Sequence, residues 1–190
     1  MFIQTEATPN PDTLKFLPGQ DVLGEGTLDY ASEEEAKASP LATRLFEVQG
    51  VARVFLGSDF VSVTKSAEAD WRHVKTMSLA AIMDHYTSGL PVIEDGAQQA
   101  GAEDEIVYEG DNAEIVSEIK ELIETRVRPA VAQDGGDIQF DRFDPETGLV
   151  TLHMRGACAG CPSSTMTLKQ GIENMLRHYV PEVTGVEAAL

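Results

Sequence analysis

The chain has 190 residues, enough for two small domains or one of medium size, and its 14 Lys and Arg against 32 Asp and Glu leave a formal charge of −18. A pI near 4.4 offers no basic stripe to displace counterions from a polyanionic backbone, so nucleic acid is not an expected partner. Mean hydropathy is −0.16, and no apolar run approaches the roughly 18 to 20 residues that a bilayer-crossing helix needs, so no membrane partner is expected either.

The opening Met1-Phe2-Ile3-Gln4-Thr5-Glu6 shows neither a basic region followed by an apolar stretch nor an Arg-rich presequence. That fits a bacterial cytoplasmic protein, or a mitochondrial matrix protein in its mature form. The turn cluster Thr8-Pro9-Asn10-Pro11-Asp12 followed by Thr13 to Leu17 and Pro18-Gly19 predicts a hairpin. Ser32 and Glu35 have capping-box spacing ahead of a short charged helix. Ser39-Pro40 supplies a cap and a first-turn proline for a helix bearing Leu41, Leu45 and Phe46, with Gly50 as its stop. Val51 to Leu56 and Phe60 to Thr64, joined by Gly57-Ser58-Asp59, predict a second hairpin. Asp70 then caps a longer helix whose inner face is Trp71, Val74, Met77, Ala81 and Ile82. The order over residues 1–90 is ββαββα.

Residues 91–113 carry 7 acidic groups and no basic one, and have no helical stripe longer than a turn. A segment of this composition buries too little apolar area to offset its ordering entropy, and we expect an acidic flexible linker that includes Glu103-Asp104-Glu105. The third piece, residues 114–190, begins with Ile115, Ile119, Leu122, Ile123 and Val127 on one helical stripe. Gly135-Gly136 sits between acids, without the lysine of a phosphate-binding loop, and predicts a sharp turn. Ile138 to Phe143 and Leu149 to Met154 form a hairpin with one buried face. After Cys158-Ala159-Gly160-Cys161 a helix runs from Pro162 to Tyr179 with Leu168, Ile172, Met175, Leu176 and Tyr179 inward, and a short strand spans 185 to 188. The fold class is therefore α+β, two small domains of order ββαββα and αββαβ.

Two cysteines cannot frame a disulfide scaffold in a chain of this length, and their three-residue spacing points to metal binding or redox chemistry in a reducing compartment. Proline is favoured at the first helical position, so Pro162 makes Cys161 the N-cap. A thiol there faces the positive end of the helix dipole, and the pair is expected to be partly thiolate at neutral pH, with a pKa below the free value of about 8.5. Gly156, Ala157, Ala159 and Gly160 leave room for an inorganic ligand to approach the backbone. Tetrahedral zinc and iron–sulfur clusters usually take four protein ligands, so Cys158, Cys161 and their copies across a two-fold axis would complete a site shared by a dimer. A dithiol of thioredoxin type and a structural zinc staple are the alternatives. His73, His85, His153 and His178 are expected at the surface, and Met154 and Met175 in the core.

The stretch Arg128-Pro129 to Gln133-Asp134-Gly135-Gly136-Asp137, with Leu152-His153-Met154-Arg155-Gly156-Ala157-Cys158-Ala159-Gly160-Cys161-Pro162-Ser163-Ser164, resembles the cysteine domain of the Nfu-type (NifU C-terminal-like) iron–sulfur carriers. Gln4 to Pro11 with Lys15-Phe16 is similar to the accessory N-terminal domain of the same family. The resemblance implies a [4Fe–4S] cluster bridged between two subunits by Cys158 and Cys161, received from upstream assembly proteins and passed to apo-proteins of iron–sulfur maturation. It implies a homodimer on cluster binding and a carrier or scaffold rather than an enzyme. Spacing alone leaves [2Fe–2S] and zinc open, and a targeting or regulatory role is expected of the first domain.

Overall fold

The computed structural model describes residues 2–94, 106–159 and 162–189, with no description of the side chains of 162–164. The core of the expected linker and Cys161 lie outside the described residues. Two separate sheets organise the chain. In the first, β1 (Gln4–Ala7), β2 (Thr13–Leu17), β3 (Leu28–Tyr30), β4 (Val51–Leu56) and β5 (Val61–Lys65) pair antiparallel in the order β1-β2-β5-β4-β3. The strand β3 is absent from the expected order. Three residues after a glycine-rich stretch are too few to display a period of two.

Residues 35–38 form a 3₁₀ turn whose N-cap, Glu34, makes no side-chain cap; the capping-box pair closes the turn before it instead, with Ser32 Oγ accepting from Glu35 N and Glu35 Oε2 accepting from Ala31 N. The helix α1 (Pro40–Phe46) is capped by Ser39 Oγ accepting from Ala42 N, and it ends before Gly50, which turns with φ +97° between Val48 and β4. The helix α2 (Trp71–Ser88) is capped by Asp70 and closed by Gly89 in the left-handed conformation. Its inner face is Val74, Ser78, Ala81, Ile82 and His85, with Trp71 packed against the same core, so the expectations for Met77 and His85 are corrected. Met77 is 44% exposed, and Trp71 is only partly buried because it lies at the helix start, where its indole N–H donates to Pro11 O. His85 is fully buried against the core rather than at the surface.

In the second sheet β6 (Gly136–Asp144) and β7 (Leu149–Gly156) form the expected hairpin, and β8 (Gly185–Ala188) adds parallel to β7. The leading helix begins at Asp111 and runs as α3 (Asp111–Leu122), a π turn over Ile123–Val127, and α4 (Arg128–Gln133). Pro129 explains the interruption, because it lacks an N–H and its ring crowds the carbonyl four residues back. The helix α5 (Pro162–Tyr179) returns across the sheet with Ile172 and Leu176 buried. Tyr179, expected inward, is 41% exposed and stacks under the Arg126 guanidinium instead.

Each sheet has its own apolar cluster. One joins Phe16, Val54, Leu56, Val61 and Val63 to α1 and α2, and the other joins Ile138, Val150, Leu152 and Val186 to α3 and α5. No helix among the described residues is long and apolar enough to cross a membrane.

Candidate functional site

Cys158 follows the last residue of β7, where Gly156 turns with φ +63°. The tight turn is enforced by crowding: a Cβ on Gly156 would sit 2.8 Å from Gly135 O. Gly136 is required by the cysteine itself, since a Cβ there would come within 2.6 Å of Cys158 Sγ and 2.8 Å of Arg155 O. Gly135 makes the expected turn after the helix with φ +79°, and Gly136 beside it is the floor on which the thiol rests. Thr165 Oγ1 in α5 donates to Cys158 O, which ties the start of that helix to the loop.

Acidic groups surround the floor. Asp137 is buried and accepts from Arg128 in a fork, Nε to Oδ1 at 2.8 Å and Nη2 to Oδ2 at 3.0 Å, while Arg128 Nη1 also reaches Glu124. The carboxylate beside it raises the Arg128 pKa further. Cys158 is 6% exposed and belongs to the apolar cluster of the second sheet. Burial, with the charges of Asp134 and Asp137 adding to it, pushes the thiol up to about 12. The expected thiolate character is therefore corrected for Cys158 in this conformation. Desolvation outweighs any benefit from the helix dipole, which acts mainly on residues in the first turn.

A cavity of about 680 Å³ adjoins the thiol, walled on one side by Leu28, Asp29, Tyr30 and Arg53 and on the other by His153, Arg155 and Cys158. His153 is half-buried on this wall with Nε2 3.3 Å from Asp141 Oδ1. Met154 packs against the second core as expected, whereas Met166 is 68% exposed. His73 and His178 are exposed. Among the described residues no group of three or more His, Cys, Asp and Glu is arranged to hold a metal ion.

Residues 3–89 match the family description "Scaffold protein Nfu/NifU N terminal", and residues 119–187, which contain both cysteines, match "NifU-like domain". Over 187 residues the chain is 55% identical to "NifU-like protein 4, mitochondrial" and 54% identical to "NifU-like protein 5, mitochondrial", both of Arabidopsis thaliana. The chain belongs to the Nfu family of NifU-like proteins. It is also 53% identical over 188 residues to "NFU1 iron-sulfur cluster scaffold homolog, mitochondrial" of Drosophila erecta. Each alignment covers 98% of this chain and 65%, 67% and 64% of those relatives respectively, so this Nfu-family chain spans about two thirds of their length.

Proposed function

We propose that this chain is an iron–sulfur carrier: Cys158 and Cys161 of two subunits hold one [4Fe–4S] cluster as cargo, which is taken from upstream assembly proteins and delivered to apo-proteins. The observation that carries the reading is the pair of thiols, one per chain, inside the segment that matches the NifU-like domain. The names of the Drosophila relatives, which call those proteins iron–sulfur scaffold homologues, support it. In this reading residues 1–90 are the accessory domain, 91–113 a linker and 114–190 the carrying domain, working in a reducing compartment, the bacterial cytoplasm or the mitochondrial matrix.

Delivery is ligand exchange. A thiolate of the receiving protein bonds to iron as one carrier thiolate leaves, and the departing sulfur takes up a proton, so no electron moves and no general base is needed. Two protein ligands per chain leave the cargo at an interface, where incoming thiols reach it without unfolding either subunit.

Native mass spectrometry after anaerobic reconstitution with iron and sulfide tests the proposal. A dimer heavier by one four-iron, four-sulfide unit is the expected result, lost in Cys158→Ala and in Cys161→Ala. A metal-free monomer lighter by two hydrogens overturns it in favour of an internal disulfide, and a colourless dimer holding zinc overturns it in favour of a structural staple.

A further inference from the structure

The five-stranded sheet has helices on one face only, yet its other face is buried. Register aligns Glu6, Lys15, Ser62, Phe55 and Asp29 in one row across β1, β2, β5, β4 and β3. Alternation places this row opposite the apolar face, where an antiparallel sheet ordinarily meets water. Instead Lys15 is 7% exposed, Ser62 1% and Phe55 1%. Phe55 and Phe60 are buried but belong to neither apolar cluster, and their ring centres lie 5.9 Å apart.

Every member of the row except Glu6 touches the floor or the loop of the cysteine site. Lys15 Nζ donates to Ala132 O and Gln133 O at the end of α4, passing 4.6 Å from the Phe60 ring centre. Ser62 Oγ donates to Gly135 O at 2.7 Å. Asp29 Oδ2 accepts from Gly156 N at 3.4 Å while Arg53 holds the same carboxylate from the side. A Cβ on Gly156 would lie 2.9 Å from the Phe55 ring, so the ring sits flush on the turn that precedes Cys158. Two residues beside the row complete the grip: Asn10 Nδ2 donates to Ala159 O, and Thr27 Oγ1 donates to Asp137.

We propose that this face of the first domain is a docking surface for the chain's own cysteine loop, and that it must be displaced before the loop can present cargo to a second copy of the chain. The inference rests on the carrier reading for the word cargo, but its geometry does not. Cys158 Sγ is turned onto Gly136, into its own domain, and shared ligation needs it turned outward. That rotation moves residues 156–159, and the first domain holds this stretch at Gly156 and Ala159 and its floor at Gly135 and Asp137. The seam is the kind that opens: its contacts are mostly single polar bonds, and it contributes to neither core.

The test uses the reduced, cargo-free full chain. Cys158 alkylation by iodoacetamide is followed by peptide mass spectrometry, and domain separation by small-angle scattering, in the wild type, Phe55→Asp and Ser62→Arg. The second variant has no space for its side chain with the seam closed, since Ser62 Oγ already contacts Gly135 O. Expected are a compact wild type, extended variants, and alkylation at least about tenfold faster in the variants, with earlier uptake of iron and sulfide on reconstitution. Unchanged alkylation in an extended variant overturns the proposal, as does a wild type whose domains are already apart. Faster alkylation with no cluster formed by any of the three proteins sinks the carrier reading and leaves the closed seam standing.

Discussion

The two faces of the five-stranded sheet are both buried, but by different chemistry. Against α1 and α2 the strands present Phe16, Val54, Leu56, Val61 and Val63, an apolar surface that joins a continuous core. Against the second domain they present the Phe55 ring and three polar side chains, of which Lys15 donates to Ala132 O and Gln133 O, Ser62 donates to Gly135 O and Asp29 accepts from Gly156 N. Burial of the first kind is dominated by area removed from water and is lost only on unfolding. Burial of the second kind exchanges hydrogen bonds with water for hydrogen bonds with protein, worth about 1 kcal/mol each, so it can be reversed with both domains intact. Burial alone therefore does not say whether a surface is permanent; the atoms doing the burying do.

The largest effect should fall on the cores. Leu176→Ala, at a fully buried position of the second cluster, should cost about 2–5 kcal/mol in urea unfolding, as should Leu41→Ala in the first. Phe55→Ala, equally buried but in neither cluster, should cost less than half as much while increasing Cys158 alkylation; an equal cost would erase the distinction between seam and core. Gly136→Ala should destabilise the second domain by about 1–3 kcal/mol, because the new methyl overlaps Cys158 Sγ and Arg155 O, and Cys158→Ala in the same background should recover part of that loss. Full additivity in this cycle would show that the thiol does not rest on Gly136.

The next effect depends on pH. Burial, followed by the nearby Arg44 charge, lowers the His85 pKa below its ordinary 6.5. The unfolded chain then binds the proton more readily, so the first domain is fully stable above about pH 6.5 and loses stability as pH falls, by at most about 1.4 kcal/mol per pH unit. Thermal melts of the wild type and His85→Leu between pH 7.5 and 5 should diverge in that direction, and parallel curves would refute a buried neutral imidazole. The smallest effect concerns Ser78, whose hydroxyl finds no hydrogen-bond partner among the described residues. Ser78→Ala should be neutral or stabilising by up to about 1 kcal/mol in the same melts.

Local patterns in the sequence were enough to read all three hairpins, the caps at Ser39 and Asp70, and the position of Cys158 between a strand and a helix. The readings that failed depend on partners far away in the chain. Nothing local marks Lys15 for burial, because the carbonyls of Ala132 and Gln133 that accept from it lie 117 and 118 residues away. Cys158 looks activated by the helix it precedes until the apolar cluster and two aspartates are counted around it. His85 and Met77 sit on one helix at spacings that periodicity alone assigns the wrong way round, because which flank of α2 meets the sheet is settled by tertiary packing. A lysine and a serine in alternation with Leu14, Phe16, Val61 and Val63 make the pattern of a strand with one face in water, so nothing local announced the burial of that face.

The pleat row across the sheet has a further consequence for how this molecule can vary. Because successive residues of a strand point to opposite sides, positions 14 and 16 or 61 and 63 answer to the fold, whereas 15 and 62 answer to the docking of one domain on the other. The same short stretches of chain thus carry two messages interleaved letter by letter. Substitutions at alternate positions can tighten or loosen the grip on the cysteine loop without rewriting the core, and a slip of one residue in register would scramble both at once.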